Sequence, residues 1–178
     1  MRRCVAVLAG VSLLAACGGL FYDGDGELSD SGPFAAHHRY FLDLGPVDLT
    51  RPGRREYWLS RLPNEEFTVG LYTRMTTTPS GDNLHDSKPL SATVGIELRQ
   101  GNSQLFDIVD DLRNWSWSEA RESYTFLYHS PPNGRSDGWS DFLANRSSTY
   151  RLAIEIVAPD PSAAQYTFHL VAVGGGWK

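Results

Sequence analysis

Two tryptophans stand two residues apart, Trp115 and Trp117, in Asn114-Trp-Ser-Trp-Ser118. On extended chain they face the same way. Paired indoles suit stacking on a sugar ring or anchoring a protein contact. The competing reading is that both cap a hydrophobic core, which is the commoner fate of such a pair. The other chemistry-bearing groups give weaker patterns. Asp23-Gly-Asp-Gly-Glu27 places oxygens at alternate positions, as the opening of a calcium loop does. Such a loop needs a bidentate Glu at position twelve, and here that position is Phe34. His37 and His38 are neighbours, so on extended chain they point apart and chelate poorly. His85, His129 and His169 are scattered, and no metal site is expected. No Gly-x-Ser-x-Gly elbow and no phosphate-binding glycine loop occurs. Carboxylates such as Asp107, Asp110, Asp111, Glu119 and Glu122 are plentiful, but spacing along a chain does not set the separation that glycoside hydrolysis needs. No enzyme and no cofactor is expected.

The elements that must carry these groups read as strands. Apolar residues alternate in eight runs: Arg39–Leu44, Arg55–Leu62, Glu66–Arg74, Leu90–Arg99, Gln104–Val109, Ser123–Tyr128, Thr149–Val157 and Tyr166–Val173. The cleanest is the fourth, with Leu90, Ala92, Val94, Ile96 and Leu98 on one face. Trp58 falls inside the second run and is expected in the core. Prolines sit almost entirely between the runs, as a sheet requires. The pattern predicts an all-β fold, an antiparallel β-sandwich of about eight strands, jelly-roll-like or immunoglobulin-like. Ser118–Glu122 is the single helix candidate, about one turn long. The Gly-rich end, Gly174–Lys178, reads as a tail whose Trp177 docks on the domain.

If direction alternates along eight antiparallel strands, the connections 45–54, 75–89, 110–122 and 158–165 share one end. That end gathers Arg51, Arg54, Asp82, His85, Trp115 and Trp117 into a candidate binding surface. The 129–148 loop with Trp139 then lies at the other end. The parity fails from 112 onward if 112–118 is itself a strand.

The amino terminus carries a different chemistry. Met1-Arg2-Arg3 is followed by twelve apolar residues, Val5–Ala16, too few to span a bilayer, which takes roughly 20. Leu14-Ala15-Ala16-Cys17 resembles the bacterial lipobox, in which small residues precede an obligatory Cys. The resemblance covers residues 1–18. It implies that 1–16 are a signal peptide and that Cys17 becomes the lipidated first residue. Two or more acyl chains anchor stably where one does not. Gly18 stands after the Cys in place of the Asp that favours inner-membrane retention, so the outer membrane, facing the periplasm, is the expected address. Residues 17–36 are rich in Gly, Ser and Asp and read as a flexible tether to a domain over 37–178.

Composition narrows the partners. Loss of residues 1–16 leaves 162 residues of the 178, enough for one domain with a core. It leaves 14 basic against 21 acidic residues, a net charge of about −7. That argues against nucleic acid. Cys4 leaves with the signal and Cys17 is taken by lipid, so no disulfide is expected. In layout the chain resembles the small all-β periplasmic lipoproteins of bacteria, which include immunity proteins, envelope-assembly factors and sugar binders. That resemblance implies a membrane-anchored module for a protein partner in the envelope. The alternatives are a carbohydrate or peptidoglycan binder and a structural envelope lipoprotein.

Overall fold

A computed structural model describes residues 22–30, 39–120, 124–129 and 143–175. Cys17, the apolar segment before it, His37, His38, Trp139 and Trp177 lie outside the described residues. So do most of the expected tether and most of the 129–148 loop.

The strands are β1 (Asp23–Gly24), β2 (Glu27–Asp30), β3 (Tyr40–Val47), β4 (Gly53–Ser60), β5 (Phe67–Thr73), β6 (Thr93–Gln100), β7 (Ser103–Asp111), β8 (Ser116–Ala120), β9 (Tyr124–Tyr128), β10 (Thr149–Ala158) and β11 (Phe168–Gly174). They form an antiparallel β-sandwich. One sheet has five strands in the order β1-β4-β10-β6-β7, the other six in the order β2-β3-β11-β5-β9-β8. A single helical turn, α1 (Leu84–Ser87), starts at Asn83, whose side chain accepts from the His85 amide at 2.7 Å.

The eight alternating runs are all strands, with ends shifted by up to three residues in either direction. Pairing in the fourth begins at Thr93 although Leu90 and Ala92 are already buried in the core. Three further strands were not expected. β1 and β2 add edges from the segment read as a tether, so that residues 22–30 are folded onto the domain. Ser118–Glu122 is corrected from a helix: Ser116–Ala120 pairs antiparallel with β9, setting Trp117 opposite Leu127. The alternation Trp115, Trp117 and its burial outweigh the weak helical preference of Glu119 and Ala120.

The core lies between the sheets. Tyr150, Leu152, Ile154 and Ile156 of β10 meet Phe168, Leu170 and Ala172 of β11 there. A second, smaller cluster lies on the outer face of the six-stranded sheet. Phe126, Val171 and Val173 are buried, with Phe41, Tyr72 and Tyr128 packed on them. The Phe126 ring lies over Gly70, where a Cβ would collide with that ring and with the Leu127 carbonyl. Beside the cluster, His169 Nδ1 lies 2.9 Å from the Asp43 carboxylate.

Among the described strands, the pairs β2–β3, β6–β7 and β8–β9 are both consecutive and neighbours in one sheet; every other step from β3 onward changes sheet. Register then decides which crossovers meet. Val47 pairs with Phe168 in one sheet, and Gly53 pairs with Ile156 in the other. The β3–β4 and β10–β11 crossovers therefore close the same end of the sandwich.

Candidate functional site

That end is concave. A cleft of about 200 Å³ is lined by Val47, Asp48, Arg51, Gly53, Arg54, Arg55, Ile154 and Ile156. It adjoins a second hollow of about 450 Å³ that shares Val47, Asp48 and Arg55 and continues over Leu49, Ala163, Ala164, Tyr166 and Phe168. One part is rimmed by guanidinium groups, the other is largely apolar. Such concave surfaces, mostly apolar with a few convergent polar groups, are where ligands bind.

The arginines arrive from one tight segment, Arg51-Pro52-Gly53-Arg54-Arg55. Arg55 has the inward parity of Tyr57 and Leu59 and pairs in register with Ile154. It sits where the sandwich opens, so it stays exposed while Tyr57 and Leu59 are buried. Its Nη1 donates to the Pro46 carbonyl at 2.9 Å. Among the described residues no carboxylate lies within ion-pairing distance of it. Arg51 reaches Asp48 only at 3.8 Å and is 83% exposed. Arg54 points to the outer face of the five-stranded sheet and is neutralised there. It lies 2.7 Å from Glu97, 3.3 Å from Glu56 and 3.3 Å from Glu155. Asp48 accepts from the Thr50 amide at 2.9 Å. The Thr50 hydroxyl and amide, and then Arg51 and Arg55, hold its carboxyl below the usual range. Gly53 keeps the space above Ile156 open: a Cβ there would meet nothing within 4 Å.

Two local features fix this end. Gly45 has φ +94°, and the β3–β11 register shifts around it, a bulge that turns Pro46–Thr50 toward the opening. Asp160 then ties the crossovers together. Its amide donates to Leu49 O at 2.9 Å. Its carboxylate, 8% exposed, accepts from the Ser91 and Ser162 amides, each at 2.8 Å. The Ser91 and Ser162 hydroxyls add bonds of 3.2 and 2.7 Å. Burial pushes this carboxyl up, but those four bonds outweigh it and hold it below its ordinary value. Asp160-Pro161 also opens a 3₁₀ turn, Pro161–Gln165, as N-cap and first residue.

No family model, curated protein or solved structure matches this chain.

Of the residues expected at this end, the structure brings Arg51 and Arg54 to one cleft; Asp82, His85, Trp115 and Trp117 do not line it. Trp115 and Trp117 are 1% and 4% exposed, so neither offers a ring face to a ligand. They cap the core, and the Trp117 Nε1 donates to Leu112 O at 2.8 Å. Asp82 closes a turn, with its carbonyl accepting from the Thr78 amide at 2.7 Å and its carboxylate from the Ser80 hydroxyl at 2.8 Å. His85 lies on α1, 3.0 Å from Asp86, and that turn packs on β8. Neither lines the cleft. Trp58 reverses the expectation of a core residue: it is 58% exposed, because the core-facing parity of β4 belongs to Tyr57 and Leu59. Arg55 and Asp48 were not singled out from the sequence. The available signal was the parity of Arg55 with two apolar residues in a strand that starts at a Pro-Gly turn.

Proposed function

We propose that this protein is a lipid-anchored binding module of the bacterial envelope, and not an enzyme, whose cleft takes an acidic, apolar segment of a protein partner. Cys17 would carry the acyl chains on a membrane facing the periplasm, with the outer membrane the favoured address. The observation that carries the reading is the cleft. Arg55, without a carboxylate at ion-pairing distance among the described residues, and Arg51, held only loosely by Asp48, bring positive charge to an open, partly apolar hollow on a chain whose net charge is otherwise acidic. A planar guanidinium pairs with a carboxylate through two parallel hydrogen bonds, which gives both orientation and affinity. An open hollow with an apolar floor suits a strip of chain carrying aliphatic residues beside that carboxylate.

The test is fluorescence anisotropy with labelled peptides that carry leucine and phenylalanine next to a free terminal carboxylate, alongside their amidated twins. The carboxylate forms should bind and the amides should bind at least tenfold more weakly. A charge-assisted hydrogen bond contributes about 1.5–3 kcal/mol, so Arg55→Ala should cost roughly tenfold or more. Gly53→Leu should block binding by filling the space above Ile156, with the thermal midpoint unchanged. Equal binding of carboxylate and amide, or indifference to Arg55→Ala, would sink the proposal.

A further inference from the structure

Away from the cleft, the outer face of the five-stranded sheet carries a second surface with a different chemistry. Trp58 stands on it with 58% of its surface exposed, the largest exposed apolar side chain among the described residues. It is not a loosely held residue. Its amide donates to Asp25 Oδ2 at 2.7 Å and its carbonyl accepts from the Asp25 amide at 2.8 Å, so both backbone groups are fixed by the loop after β1. In register, Trp58 lies beside Arg151, and Arg151 beside Arg99. The next row places Glu56 and Glu97 on either side of the small Ala153.

These charges cancel locally. Arg151 lies 3.7 Å from Glu56 and Arg99 lies 3.2 Å from Glu97. Arg54, with Glu97 at 2.7 Å and Glu155 at 3.3 Å, completes a set of three guanidinium groups against three carboxylates. The three pairs are therefore rich in planar donors and acceptors and neutral among themselves, with Asp107 of the edge strand β7 beside Glu97 as an acidic margin. In addition, the Arg99 Nε is shut off from solvent without an acceptor.

From this arrangement we propose that the Trp58 face binds a neutral glycan of pyranose units. A pyranose offers an apolar C–H face to the indole, and its hydroxyls both accept from guanidinium and donate to carboxylate. A polyanion would be opposed by the glutamates and a polycation by the arginines. A neutral polyol meets neither penalty and uses both sets. This surface shares only Arg54 with the cleft and does not involve Trp115 or Trp117.

The experiment is affinity electrophoresis of the full chain in detergent through gels holding soluble neutral polysaccharides (hydroxyethylcellulose, mannan, laminarin), with chitohexaose titrated by calorimetry. At least one should bind the parent protein, and Trp58→Ala should weaken that binding at least tenfold while Trp58→Phe retains part of it. Thermal unfolding of each variant confirms that its fold is intact. The proposal is overturned if no glycan in the panel binds, or if binding survives Trp58→Ala. It is equally overturned if sedimentation shows a dimer that Trp58→Ala dissolves, because the face is then covered by a second copy.

Discussion

Asp160→Ala should be among the most damaging changes to a single polar residue in this protein. The carboxylate receives four hydrogen bonds, from the amides and hydroxyls of Ser91 and Ser162. A hydrogen bond to a charged acceptor contributes about 1.5–3 kcal/mol, but the four are not additive. Ser91 and Ser162 are themselves exposed, so water takes over part of the loss. Asp111 lies near enough to oppose the Asp160 charge, which trims the gain further. Loss of the cap on the 3₁₀ turn costs about 1 kcal/mol by itself. The sum expected is about 2–3 kcal/mol, or a midpoint lower by roughly 5–10 °C for a domain of this size. Because the folded carboxyl is held below its ordinary value, its contribution is complete above about pH 4 and disappears as pH falls through the folded value. Urea unfolding of parent and variant from pH 7 to pH 3 measures both parts. The stability gap should be widest at pH 7 and narrow as pH falls below about 4. A gap below about 0.5 kcal/mol at pH 7, or one that does not change with pH, would show that Asp160 does not hold the crossovers.

Three other outcomes follow from the geometry. Trp117→Ala empties a buried indole site and removes one of the two hydrogen bonds to the Leu112 carbonyl, so it should cost about 3–5 kcal/mol, while the exposed Trp58→Ala should stay within about 0.5 kcal/mol; denaturant midpoints compare them directly. Gly70→Ala forces a Cβ against the Leu127 carbonyl and the Phe126 ring, and should lower stability by about 1–3 kcal/mol with accelerated amide exchange in β5 and β9. Cys17→Ser should abolish incorporation of labelled palmitate and move the protein from the membrane fraction to the soluble fraction.

The alternation of apolar residues was legible because it is a local property: each side chain of a strand points opposite to the next. Tyr150, Leu152, Ile154 and Ile156 all reach the core as the pattern required. The pattern is ambiguous where both parities carry large rings. In β4, Tyr57 and Trp58 are adjacent, and the partner strand β10 decides which one is covered. Phe126 and Tyr128 share a face as expected, yet that face lies away from the sandwich interior. β1 and β2 carry almost no apolar signal. They exist through backbone pairing with strands distant in sequence, which a local pattern does not register.

Arg51 and Arg54 show the same division at the candidate site. Their place in a crossover between two strands followed from the Pro52-Gly53 turn between alternating runs. Grouping them with Asp82, His85, Trp115 and Trp117 relied on strand parity. The registers place the ends of β5 and β7 and the start of β6 at the same end as the cleft, as parity required, but sharing an end does not make one surface: Asp82, His85, Trp115 and Trp117 do not line the cleft.

By itself the sequence determined the strand periodicity, the all-β class, the presence of only two cysteines, Cys4 and Cys17, and the lipobox-like motif at Cys17. Each is written in neighbouring residues or in simple counts. Only the tertiary structure decided that Trp58 is exposed while Trp115 and Trp117 are buried. It also decided that Arg55 faces an open cleft and that Asp160 joins three segments. Those facts depend on register and on which strand covers which face. Both are set by pairing between residues as far apart as Leu49 and Asp160, whose contact no local pattern encodes.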